Sequence, residues 1–79
     1  MRPRIAELGD KNCIGATVTK LRKLHRMTQK ELMARMQSRG IDINYTSLSK
    51  LEGQTRIATD KEVFVIAEIF QVDMKDLFK

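Results

Sequence analysis

The stretch that most constrains this chain is Thr28 to Glu52, TQKELMARMQSRGIDINYTSLSKLE. Thr28 and Glu31 stand three apart, the spacing at which each side chain can satisfy a free backbone N–H beside the other, so a helix must begin there. Leu32, Met33 and Met36 supply its apolar stripe, and Gly40 is suited to the left-handed residue that ends a helix. Ile41 and Ile43 then return to the core. Asn44 is a good N-cap for a further helix, Tyr45 to about Glu52, which buries Leu48 and Leu51 and leaves small polar side chains outward. A pair of short helices joined by a turn cannot bury both apolar stripes alone, so the remaining residues have to cover them.

The flanks divide accordingly. Residues 1–11, with the only proline, Pro3, and with Arg2 and Arg4, read as a tail or arm, and residues 12–79 as one domain. Asn12 can cap a first helix whose apolar positions are Ile14, Val18, Leu21 and Leu24 and which ends near Arg26. Lys20, Lys23 and Arg26 lie on its other face. Gly15, a poor interior helix residue, implies close approach of a neighbouring segment. Downstream, Thr59 and Glu62 repeat the capping box before the stripe Val63, Ile66, Ala67 and Phe70. Asp73 and Asp76 open a last short helix in which Met74, Leu77 and Phe78 pack inward. The expectation is all-α, five helices and no strand.

Charge narrows the partner. Residues 1–59 carry 12 basic and 5 acidic side chains, +7, whereas residues 60–79 carry 3 basic and 5 acidic, −2. A basic surface of this kind attracts a polyanion, or else is a solvated face. Catalysis is not expected. Cys13 and His25, the only residues of their kinds, lie roughly 18 Å apart in helical rise, too far for a nucleophile and its base. Cys13 reads as a small core residue and His25 as a solvated one. No cofactor and no metal site is expected, and one cysteine makes no internal disulfide. No apolar run approaches the ~20 residues that span a bilayer, and the amino terminus lacks a secretory core, so no membrane partner is expected and the whole chain reads as a cytoplasmic protein.

Two helices and a turn inside a basic helical domain form a helix-turn-helix pattern, whose second helix can enter a major groove. The ordered residues Ile14-Gly15, Leu21-Arg22, Thr28-Gln29-Lys-Glu31-Leu32, Ser47-Leu48-Ser49-Lys50-Leu51-Glu52, Gly53, Ala67-Glu68 and Val72-Asp73-Met-Lys-Asp76-Leu77 resemble the lambda-repressor-like, Cro/cI-type (Xre) helix-turn-helix family, over residues 14–78. The resemblance implies a five-helix DNA-binding domain with the motif in helices 2 and 3. It implies a regulator of transcription from a prokaryote or phage, associated with the nucleoid and acting as a repressor on double-stranded DNA.

By the same resemblance, Gln29 bonds a backbone phosphate, and Asn44, Tyr45, Thr46 and Lys50 face base edges or adjacent phosphates. Asn44 suits adenine, Lys50 guanine, and Tyr45 or Thr46 a thymine methyl; Asn44 can instead be spent on its cap and Tyr45 on packing over the turn. Ser47 and Ser49 read as packing residues. Gln54, Thr55 and Arg56 after that helix meet phosphates, and Arg39 in the turn adds another such contact. Arg22 and Glu52 match a family pair that ties helix 1 to the end of helix 3. Two departures stand out. Met33 replaces a small residue, and Gln37 to Asp42 lengthens the turn by about five residues over the common spacing. A homodimer through the last helix, with Met74 or Phe78 outward, and a protein partner of the antitoxin or anti-regulator kind are the other associations that this fold admits.

Overall fold

In a computed structural model, residues 8–78 are described; the expected arm therefore lies outside them for residues 1–7. Four α-helices follow one another: α1 (Gly15–Leu24), α2 (Gln29–Ser38), α3 (Tyr45–Glu52) and α4 (Asp60–Phe70). The expected fifth is a 3-10 turn, Met74–Phe78, and no strand occurs among the described residues. Among the described residues the fold is all-helical, four α-helices followed by one 3-10 turn.

Local signals set most of the starts. Thr28 Oγ1 accepts from Glu31 N and Thr28 N donates to Glu31 Oε1, and Thr59 with Glu62 repeats both bonds. Asn44 Oδ1 accepts from Ser47 N at 2.7 Å and starts α3. Asn12 works two residues ahead of the α1 boundary: its Oδ1 accepts from Ile14 N and Gly15 N, while its Nδ2 donates to Leu51 O and Arg56 O. One asparagine thus caps α1 and fastens it to the end of α3.

All four helices stop in the same way, and only one of them with a glycine. In each, an N–H just past the helix end donates to a carbonyl five residues back: Met27 to Arg22, Ile41 to Met36, Thr55 to Lys50 and Val72 to Ala67. The residue before each donor takes the left-handed conformation, at Arg26 (φ 54°), Gly40 (φ 88°), Gln54 (φ 61°) and Gln71 (φ 57°). Three of these termini therefore lacked the usual glycine signal. That is why α1 ends at Leu24, and Leu24, expected inward, is 69% exposed.

The core is built from Ile14 and Val18 of the α1 segment, Leu32 and Met36 of α2, Leu48 and Leu51 of α3, and Val63, Ile66 and Phe70 of α4, closed by Leu77. Gly15 is needed here: a Cβ would sit 2.4 Å from Leu51 O and 2.6 Å from Glu52 O. Two expectations about burial are corrected, at Cys13 and in the last turn. Cys13 is exposed, since it lies in the turn ahead of α1. In the 3-10 turn only Leu77 packs inward; Phe78, the next residue, points away from Leu77's side, and Met74, though on that side, lies at the open first residue of the turn, so both are exposed. His25 is exposed but rests against the Phe70 ring, centroids 5.1 Å apart.

Candidate nucleic-acid interface

The α2–α3 pair is held by a buried carboxylate. Glu52, on the last turn of α3, is 6% exposed and receives four hydrogen bonds. Arg22 Nε donates to Oε2 at 2.8 Å and Arg22 Nη2 to Oε1 at 3.1 Å. Thr19 Oγ1 and Gln29 Nε2 also donate to Oε1, at 3.1 and 2.9 Å. Arg22 is fixed in turn by Nη1 donating to Met27 O at the end of α1. One anion thereby joins α1, the first residue of α2 and the last of α3. A charge so placed is tolerable because its lone pairs are taken up by charged and polar donors.

Fastening α3 through Leu51 and Glu52 leaves its opposite face open. Tyr45, Thr46, Ser49 and Lys50 are exposed, while Leu48, Leu51 and Glu52 are buried and Ser47 is half-buried. At helical spacing the first four form two adjacent i, i+4 rows on one face. Ser49, expected to pack, belongs to that open face; its separation by four from Tyr45 was the signal. Beside it runs an open groove of about 520 Å³ between α1 and α3, whose rim carries Lys20, Lys23 and Ser49 and whose floor is Glu52 with Arg22 and Gln29.

The six residues 39–44 connect α2 to α3. Two of the residues assigned to the long turn, Gln37 and Ser38, are instead the last of α2. Gln37 Nε2 reaches across to Ile43 O at 2.8 Å and pins the connection, with Ile43 buried and Ile41 half-buried beneath it.

Several of the residues expected at phosphates make hydrogen bonds within the domain. The Gln29 amide is committed to Glu52. Gln54 is committed at both ends of its amide, Oε1 accepting from Ala16 N at 3.1 Å and Nε2 donating to Gly9 O at 3.0 Å, so it serves as a cap for α1. Arg56 donates through Nη1 to both Glu62 oxygens at 3.0 Å and braces the start of α4. Thr55 is exposed with its hydroxyl on Lys50 O, and Arg39 is exposed with a 3.5 Å contact to the exposed Glu68. Asn44 is exposed, but its side-chain oxygen holds the α3 cap. Gln29, Gln54 and Arg56 thus make internal hydrogen bonds that the sequence did not show, because a long polar side chain near a helix end satisfies an internal acceptor as readily as an external one.

Electrostatically, the Glu31 carboxyl is held below the ordinary carboxylate range. The hydrogen bond from the Thr28 backbone N–H lowers its pKa, helped by the Thr28 hydroxyl and by Arg35. Among the described residues no group of three His, Cys, Asp or Glu side chains is placed to hold a metal, and no helix is long and apolar enough to cross a membrane.

The model of the Cro/C1-type HTH DNA-binding domain family matches residues 17–79. The chain belongs to that family. The matched span begins inside α1 and takes in α2, the connection, α3, α4 and the 3-10 turn, so the Glu52 cluster and the open face of α3 lie wholly within the Cro/C1-type domain. No curated protein and no solved structure matches the chain.

Proposed function

We propose that this Cro/C1-type domain is a sequence-specific regulator of transcription that lays α3 in the major groove of double-stranded DNA and represses by occupying its site. The observation that carries the reading is the face of Tyr45, Thr46, Ser49 and Lys50, all exposed on a helix fastened by its other side. A groove about 12 Å wide admits a helix presented in this way. Lys50 addresses guanine O6 and N7, the Tyr45 ring and the Thr46 methyl address thymine methyls, and Ser49 serves as a donor or acceptor. Asn44, its oxygen on the cap, offers only its amide N–H groups, which can reach an acceptor such as adenine N7. Lys20, Lys23, Arg39 and Thr55 take the phosphate contacts, and Gln29, Gln54 and Arg56 are positioning residues. Repression needs no further surface, since a protein seated on a promoter blocks it; such a protein resides with the nucleoid.

Binding to a labelled random-sequence duplex pool, followed by titration of a selected site in rising salt, tests this. Selection of a defined motif, with log affinity falling at about −0.9 per phosphate against log salt, is expected. Salt-insensitive binding, or no enriched motif, removes the reading.

A second association is favoured by one further feature. Phe64 (55% exposed) and Met74 (40%) stand together beside Ile41, with Arg39, Asp60, Lys61, Glu68 and Asp73 around them. A patch with apolar centre and both charges at its edge suits an isologous pairing of two copies, which would multiply the readout of one short helix. An antitoxin-like protein partner would use the same patch; a chain that stays a monomer on its selected DNA would favour that partner over the dimer.

A further inference from the structure

Between residues 11 and 59 the chain carries three acidic side chains, Glu31, Asp42 and Glu52. Glu31 is taken up in the α2 capping box and Glu52 by Arg22, Thr19 and Gln29. Asp42 is exposed and has no intramolecular partner among the described residues. It does not hang on a loose loop. Ile41 and Ile43 on either side pack inward, Ile43 O is held by Gln37 Nε2, and Ile43 N donates to Ile41 O, so the backbone that presents Asp42 is fixed. Asp42 lies two residues before the α3 cap, within roughly 7 Å along the chain of the end that would lead into the groove.

A bare carboxylate in that place repels phosphates and weakens binding to any duplex unless it meets a hydrogen-bond donor there. The donor that a carboxylate reads in the major groove is the exocyclic amino group of cytosine. We infer that Asp42 is a specificity-determining residue, whose carboxylate accepts a hydrogen bond from a cytosine N4 amino group at the edge of the α3 footprint and penalises duplexes that lack it. This rests on the proposed placement of α3 in the groove and adds to it a base and a residue outside α3.

Parallel selections from a random duplex pool with the wild-type chain, Asp42→Ala and Asp42→Asn test it, with a melting curve taken for each protein alongside. The expected result is a wild-type motif with a required cytosine at one edge. In Asp42→Ala that requirement falls by about fivefold or more, the rest of the motif persists, and binding to unrelated duplexes tightens. An identical motif in all three proteins overturns the inference and leaves the placement of α3 standing, as does a change in melting temperature with no change of motif, which would make Asp42 only a partner of the α3 dipole. A wild-type chain that enriches no motif overturns the placement itself, and this inference with it.

Discussion

Removing the Glu52 carboxylate should unfold the domain more than it retunes recognition. In Glu52→Ala, Arg22 keeps its bond to Met27 O and cannot swing into solvent without giving it up, yet it loses both bonds to the carboxylate in a site where its own side chain is 13% exposed. Stripping one partner from a buried pair costs about 3–5 kcal/mol. A 79-residue domain has roughly 4–12 kcal/mol in total. At about 4–8 °C per kcal/mol the melting temperature should fall by at least ~12 °C. Thermal unfolding followed by far-UV circular dichroism reads this directly. The paired substitution Arg22→Met with Glu52→Leu should recover most of the loss, because exchanging both charges for apolar groups of similar volume is near neutral. The reasoning fails if Glu52→Ala melts within ~5 °C of the wild type, or if the double variant is no better than the single one.

Four further outcomes follow from particular contacts. Gln71→Gly should raise stability by about 0.5–1 kcal/mol in a urea melt, since Gln71 sits at φ 57° and is exposed, and glycine holds that conformation without the Cβ cost. Gln54→Gly, at φ 61°, should instead lower it, because both ends of that amide are bonded. Gly15→Ala should destabilise by about 1–3 kcal/mol despite alanine's better helix propensity, because the new Cβ meets Leu51 O at 2.4 Å; a neutral effect in the same melt would show that α1 can move away. For Glu31 the folded pKa is lowered, so its contribution is present above the ordinary carboxylate range and is lost as pH falls through the lowered value; Glu31→Gln should flatten that part of the acid limb of stability against pH.

What the sequence made legible is what is settled within one helical turn. The two capping boxes and the Asn44 cap place the starts of α2, α4 and α3, and each depends on residues three apart. The core stripes of α2, α3 and α4 follow from the same short range. Long-range partners were not legible: Gln29 meets an acceptor 23 positions away and Gln54 a carbonyl 45 positions away, and nothing near either residue distinguishes an internal acceptor from a phosphate. Residue type also failed where a terminus was set by backbone alone. Leu24, Met74 and Phe78 are apolar enough for a core, yet Leu24 sits where the left-handed Arg26 ends its helix and Met74 and Phe78 are the two ends of a single short turn, and all three are exposed.

The same partition explains how so short a helix as α3 can be held rigidly while most of one face stays open. Almost every tie to it gathers at its C-terminal end: Asn12 on Leu51 O, the Gly15 backbone against Leu51 and Glu52, Gly9 N on Gly53 O, Lys11 N on Gln54 O, and the Glu52 cluster. Its N-terminal end is held by its own cap, by Leu48 and by the pinned connection. A helix anchored in this way acts as a short cantilever, with its side chains from Tyr45 to Lys50 presented at a fixed angle and few of their polar atoms spent internally. Substitutions at the anchor should therefore change affinity for every duplex together with stability, whereas substitutions at Thr46 or Lys50 should change the preferred base at one position by about 1–3 kcal/mol with the melting temperature held. A Lys50→Ala chain that loses stability but keeps its base preferences would show that the division between anchor and reading face is wrong.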